Sequence, residues 1–366
     1  MPNAIVGGAL ANKPFNGGNA WSRLSWVEGL EQLGFSVYFV EQAGSNPPRN
    51  FFTSVMQRFG LEGKSALLDA EGGTVAGVSI TELLDIASTA DLLLNISGHL
   101  DWAPLKQGPR IRVYYDDDPG YTQFWPSGAR LAGHDFYFTI GENIGTAVCD
   151  IPAADIPWRH TRPPVVLGDW PVYLNPEPDR FTTVASWRGA YGPVDHGGKR
   201  YGLKAHEFRK FIDLPQRAPH RFEIALSIDP GDEKDRDALT RHGWALVDPI
   251  ISAGTPEAFR CYVQNSGAEF SVAQGIYVET NSGWFSDRTT RYLASGKPVL
   301  VQDTGFSRNL PTGEGLLAFR TPDEAVAGAA EIARNYDKHS QAARKIAKEF
   351  FDARKVAARL LEQIGI

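Results

Sequence analysis

Short apolar runs alternate along the chain with stretches whose apolar residues recur every three or four positions. Residues 3–6, 35–40, 91–96, 111–115 and 136–140 are rich in Val, Ile, Leu, Phe and Tyr and predict buried strands. Between the first two, Trp21, Leu24, Val27, Leu30 and Leu33 share one helical face, and Gly34 stands where a left-handed cap would end that helix. Residues 81–87 predict another helix. Strands separated by helices imply a parallel sheet with crossover connections. The rhythm breaks over 150–178, where Pro152, Pro157, Pro163, Pro164, Pro171, Pro176 and Pro178 suppress both helix and interior strand, so this stretch reads as an interdomain linker. It resumes with strands at 181–185, 222–226, 244–247, 268–272 and 298–302. Helices are predicted at 255–264, with Pro256 in the first turn, at 286–294, closed by Gly296, and at 322–335. Over 340–364, Ile346, Phe350, Ala353, Ala357 and Leu360 fall on one face of a long terminal helix. The expected protein is α/β, with parallel-sheet domains at 1–165 and 166–345 and a C-terminal helix at 346–366.

Composition narrows the class. A length of 366 residues favours two domains, and 42% apolar residues describe a well-cored chain rather than a disordered one. No apolar run reaches the roughly 18–20 residues that cross a bilayer, and no signal-peptide pattern opens the sequence. Cys149 and Cys261 are the only cysteines and lie far apart, which argues against a disulfide framework or a cysteine zinc site and for a cytoplasmic protein. The net charge of −6 sits wholly in residues 1–165, with 11 Lys+Arg against 17 Asp+Glu, whereas residues 166–366 carry 26 of each. Such a balance argues against nucleic acid as a partner, which needs clustered cations, but leaves room for one local anion in the second half.

Several constellations carry chemistry. Ser282-Gly283-Trp284-Phe285-Ser286-Asp287-Arg288 is a small-residue loop feeding a helix start. Free N–H groups and the helix dipole there suit a phosphate, to which Arg288 would add a bidentate donor pair. The plainer reading pairs Arg288 with a nearby acid. A second basic run, His196-Gly197-Gly198-Lys199-Arg200-Tyr201-Gly202-Leu203-Lys204, follows the first strand of the second half. Trp187 and Trp244 lie near strand ends, either to stack on a nucleobase or to fill the core. Gly7-Gly8 and Asn16-Gly17-Gly18 do not form a dinucleotide fingerprint, and no acid stands in the ribose position. Asp116-Asp117-Asp118 closes a strand, where α/β sheets hold ligands. One of these carboxylates would be a general base, the group would bind a divalent metal, or it would form a solvated turn. His99, with Asp101 near in sequence, is the other candidate base. Glu41, Glu142 and Asn143 also stand at strand ends.

From Arg288 through Leu293-Ala294-Ser295-Gly296-Lys297-Pro298-Val299-Leu300 the sequence resembles the donor-binding half of GT-B glycosyltransferases, in particular the spore-maturation-type branch with arginine ahead of an Ala-x-Gly-x-Pro turn. The Gly-rich turn and the helix ending in "GLEQLGFSVYFVE" are similar to the acceptor half of the same fold. The resemblance implies two Rossmann-like parallel-sheet domains facing a cleft, with the C-terminal helix packing back on the first. It implies sugar transfer from a UDP-, GDP- or dTDP-linked donor to a small-molecule, glycan or lipid-linked hydroxyl acceptor, without a metal or other cofactor. The donor would be bound by Gly17, Gly18, Trp187, Lys199, Arg200, Ser282, Gly283, Trp284, Ser286 and Arg288, with Asp116, Asp118 or His99 as catalytic base. One departure stands out: the glutamate pair of many retaining members falls here at Gly283 and Arg291. A sugar-nucleotide epimerase or hydrolase of the same fold, and a catalytically silent glycan- or partner-binding module, are the alternatives. Metal-dependent transfer on Asp116 and Asp118 is a further one.

Overall fold

The computed structural model describes residues 1–44, 47–174, 179–189 and 191–366. Pro176 and Pro178 of the expected linker lie outside the described residues. The chain divides into two compact units, and both are threaded discontinuously: residues 1–140, 152–166 and 352–366 form unit 1, and residues 141–151 and 167–351 form unit 2.

Unit 1 comprises β1 (Asn3–Gly7), α1 (Gly17–Glu31), β2 (Ser36–Gln42), α2 (Arg49–Arg58), β3 (Ser65–Leu68), β4 (Thr74–Gly77), α3 (Ile80–Thr89), β5 (Leu92–Ile96), α4 (Ala103–Gln107), β6 (Ile111–Asp116), α5 (Tyr121–Phe124), β7 (Phe136–Thr139) and β8 (Arg159–His160). The sheet order is β4-β3-β2-β1-β5-β6-β7-β8, parallel except for the edge pair β3/β4. β1, β3 and β5 are buried almost throughout, as strands covered on both faces must be.

Unit 2 comprises β9 (Arg180–Ser186), β10 (Val194–His196), β11 (Lys199–Tyr201), α6 (Lys204–Arg209), α7 (Leu214–Arg217), β12 (Arg221–Ser227), α8 (Glu233–Arg241), β13 (Ala245–Val247), α9 (Pro249–Ala253), α10 (Pro256–Gln264), β14 (Ala268–Ser271), α11 (Gly275–Glu279), α12 (Asp287–Ala294), β15 (Val299–Gln302), β16 (Leu316–Phe319), α13 (Pro322–Arg334) and α14 (Tyr336–Ile346). Its main sheet is wholly parallel, in the order β13-β12-β9-β14-β15-β16. An aromatic core of Phe181, Phe208, Phe211, Phe222, Trp244, Phe270 and Phe319 fills one face.

The terminal helix is not continuous. α14 gives way to a π-helical segment, Ala347–Phe351, and Asp352 then turns extended (φ −52°, ψ 123°) and caps Lys355 N. The new helix, α15 (Ala353–Ile364), belongs to unit 1 and packs along α1, where Gly29 is small enough to admit the backbone of Ala353. Residues 141–151 also depart from the expected boundary, since they join unit 2 by bracing the loop described next.

Candidate functional site

In unit 2 the crossovers run in one direction from β9 through β12 to β13 and in the other from β14 through β15 to β16. Ligands of such sheets bind at the carboxyl ends of the strands beside this reversal. Arg288 spans it. Its Nε donates to Glu269 Oε1 (2.6 Å), one terminal nitrogen to Val184 O (2.9 Å) and the other to Ser271 Oγ (2.5 Å), so one guanidinium ties β9 to β14 at the foot of α12. The sequence reading of Arg288 as a free bidentate phosphate donor is therefore corrected, because a fully buried carboxylate claims its charge. Burial pushes the Glu269 carboxyl up and the Arg288 charge pulls it back.

Lys204, the first residue of α6, is the group that sequence reasoning missed. The chain entering α6 is clamped by α11 and its approach: Gly202 N donates to Glu279 Oε1 (3.2 Å), Ile276 N to Gly202 O (3.2 Å) and Lys204 N to Gln274 Oε1 (2.5 Å). Lys204 is consequently 9% exposed, and its Nζ makes no hydrogen bond or ion pair among the described residues. Burial, reinforced by repulsion from Arg288, brings the ammonium down to about 7. Glu269 and Asp287 offset only part of that cost, so an anion arriving at this place would favour the charged form.

The loop before α12 supplies the third element. Gly283 sits at φ +75°, and a Cβ there would come 2.8 Å from Asn143 N, so the position requires glycine. Asn143 N donates to Ser282 O (3.1 Å), and its Nδ2 to Asn281 O (2.9 Å) and Gly305 O (3.2 Å). Asn143 is thus a brace for this loop, with Glu142 beside it in the same turn. Ser282 Oγ accepts from Trp284 N (3.1 Å), and the Trp284 ring stacks on Tyr277 at 4.5 Å. Ser286 occupies the cap position of α12 without bonding its first turn, which leaves those N–H groups without a side-chain cap. A small dimple, with room for about one water, lies here between Ser271, Trp284, Phe285, Ser286, Gln302 and Phe306.

Other residues singled out from the sequence are placed elsewhere. Trp187 is only 2% exposed, donates Nε1 to Asp235 (2.8 Å) and packs on Phe208, so it has no open face for a base. Trp244 is likewise core. Lys199 and Arg200 lie on an exposed hairpin, β10–β11, rather than in a phosphate-binding loop. Lys199 Nζ approaches Asp150 (3.5 Å) and Glu279 O (3.3 Å), and Arg200 faces Asp195.

Unit 1 has its own reversal between β1 and β5. Glu41, fully buried, accepts from Leu10 N (2.8 Å), Ala11 N (2.7 Å) and Asn12 N (2.9 Å) and so anchors the loop after β1. Gly17 and Gly18 open α1 behind Asn16, whose Oδ1 accepts from Asn19 N (3.0 Å). Asp116 is not an exposed base. It is fully buried and accepts from Thr122 Oγ1 (2.6 Å), Gln123 Nε2 (2.8 Å), Thr139 Oγ1 (2.8 Å) and Asp118 N (3.2 Å), while burial pushes its carboxyl up to about 6. Asp116→Ala strips three buried side-chain donors of their acceptor, and a loss of about 3 kcal/mol in denaturant unfolding is expected. Asp118 follows half-buried in the same turn. Asp117 pairs with Arg23 (2.7 Å) and accepts from Ser97 Oγ. Nothing among the described residues hydrogen-bonds the His99 ring, and Asp101, expected to orient it, pairs with Lys106 (2.8 Å) instead. Among the described residues, no group of three or more His, Cys, Asp or Glu is placed to hold a metal ion, and no helix is long and apolar enough to cross a membrane.

No family model and no curated protein matches this sequence. Solved structures do match the fold. An alpha-glucosyltransferase (AGT) in complex with UDP is 10% identical, with all of both chains covered and a TM-score of 0.63. Anabaena Alr3699/HepE in complex with UDP-glucose is 11% identical, again with all of both chains covered, at a TM-score of 0.60. Sucrose-phosphate synthase from Thermosynechococcus elongatus is 13% identical, covering all of this chain and 98% of that one, at a TM-score of 0.56. The chain has the GT-B fold of these glycosyltransferases, with two Rossmann-like domains.

Proposed function

We propose that the protein is a glycosyltransferase that moves a sugar from a nucleotide diphosphate donor, UDP-linked in the first instance, to a hydroxyl acceptor. The observation that carries this reading is Lys204: a buried amine in no hydrogen bond or ion pair of its own among the described residues, beside the Arg288–Glu269 pair and the uncapped start of α12. A diphosphate at this place would meet Lys204 and the α12 N–H groups, while Arg288 fixes the strands beneath it. Charge building on the leaving diphosphate would be neutralised by fixed protein groups, which is the dominant electrostatic demand of such a transfer. With these cations in the position that a divalent ion would otherwise fill, we propose that no metal is needed. Unit 1 would take the acceptor. UDP-binding glycosyltransferases among the structural neighbours support the reading.

Calorimetric titration of UDP, GDP and dTDP tests it directly. Micromolar binding of UDP that is indifferent to EDTA is the expected result. Absence of binding by all three nucleotides would remove the donor site and favour a silent binding module. Turnover of the sugar nucleotide at the same rate with and without acceptor would assign an epimerase or hydrolase.

A further inference from the structure

Lys204 and Glu207 stand three apart on α6, the spacing at which a lysine and a glutamate ordinarily pair across one helical turn. They do not pair here. Glu207 is only 2% exposed, and both of its oxygens are taken elsewhere: Oε1 accepts from Lys210 Nζ (2.6 Å) and Oε2 from Gln302 Nε2 (2.8 Å). Gln302 ends β15 and is itself buried, and its Oε1 accepts from Ala273 N (3.1 Å) just beyond β14. The next residue, Gln274, is the one that accepts from Lys204 N (2.5 Å). One carboxamide therefore links the exit of β14, the end of β15 and the middle of α6, in a ring that closes on the Lys204 backbone. Its two ends are not interchangeable. Ala273 N needs an acceptor and the Glu207 carboxylate needs a donor, and a glutamine supplies both where an ionised glutamate or an apolar residue cannot.

We propose that Gln302 is a positioning residue of the donor site: by holding the Glu207 carboxylate against β15 it keeps that carboxylate off Lys204 and leaves the lysine to the donor diphosphate. The proposal rests on the reading of Lys204 as the cation that meets the diphosphate. The charges that act on Lys204 agree with it. Arg288 repels the ammonium and Glu269 and Asp287 attract it, and Glu207, though only one turn away, is not among them. Released from Gln302, Glu207 would close on Lys204 as an ion pair within α6. The diphosphate would then have to displace a carboxylate already in its place.

The test reads Lys204 directly in the UDP-free protein, by NMR titration of isotope-labelled lysines with the Lys204 signal assigned through its loss in Lys204→Gln. Gln302→Met, of similar volume, is expected to raise the Lys204 midpoint from about 7 by about 1–3 pH units, because a carboxylate now faces it. Adding Glu207→Gln to Gln302→Met is expected to bring the midpoint back, which a merely loosened loop would not do. Glu207→Gln alone should leave the midpoint in place. A fall in that variant would show that Glu207 already neutralises Lys204 and would overturn the proposal, and this arm decides even where Gln302→Met does not fold. An unmoved midpoint in folded Gln302→Met would overturn it too. UDP titration at pH 7 gives the functional readout: affinity about tenfold weaker in Gln302→Met and restored in the double variant. Failure of UDP to bind the wild type counts separately, against the donor reading, while the NMR titration still decides whether Gln302 holds Glu207 away from Lys204.

Discussion

UDP binding is expected to take up a proton above pH 7 and to weaken up to tenfold for each further pH unit, and Lys204→Gln is expected to abolish both effects. In the free protein Lys204 gives up its proton near pH 7, and a diphosphate beside it restores the charged form. Above that pH the ammonium must be re-formed on binding, so affinity falls as protons become scarce. Loss of a charge-assisted contact worth about 1.5–3 kcal/mol corresponds to about a 10- to 150-fold weaker Kd at pH 7. The fold should not suffer. Between pH 7 and the ordinary lysine range the unfolded chain holds a proton that the folded chain has lost, so wild-type stability rises with pH across that window. Lys204→Gln removes that slope. Titration in two buffers of different ionisation enthalpy measures the proton uptake, and a pH-independent Kd in the wild type would exclude Lys204 from the diphosphate.

The second large effect concerns Arg288. Arg288→Ala is expected to cost about 3–5 kcal/mol in denaturant unfolding, because it removes the ion-pair partner of the buried Glu269 on β14. Arg288→Met combined with Glu269→Leu should recover most of that loss, since a buried pair replaced by apolar groups of similar volume is often neutral. UDP affinity should remain weakened in the double variant, because the strand ends that α12 rests on are no longer tied together. Full recovery of both stability and affinity would show that the pair is a core element with no bearing on the site.

Much of the architecture was legible because β1, β5 and β15 are short apolar runs, β6, β9 and β12 are rich in aromatic and β-branched residues, and the helices between them are set off by turn signals. Some elements missed, among them α2 and the buried strand β3, were not read from the sequence at all, and others lack such contrast. α8 buries only Leu239, and β10 and β11 are short and largely exposed. The site was legible as a neighbourhood, the loop from Ser282 into α12, but not as a set of roles. Arg288 and Glu269 are 19 residues apart, and nothing local shows that a helix start will lie over that strand. Lys204 reads from sequence as the end of a solvated basic run, and only the clamp by Gln274 and Glu279 on Gly202–Lys204 makes it a buried charge. Trp187 shows the converse, a strand-end aromatic drawn into the core by Phe208 and Asp235.

The threading of the chain has a consequence for how the protein is made. Unit 1 is interrupted after residue 140, resumes for 152–166, and takes its last helix from 352–366. On a ribosome, α1 emerges early, but the helix that covers its Gly29 face is synthesised after the whole of unit 2. Unit 2 can therefore fold before residues 352–366 are made, whereas unit 1 stays incomplete, with the Gly29 face of α1 uncovered, until they are.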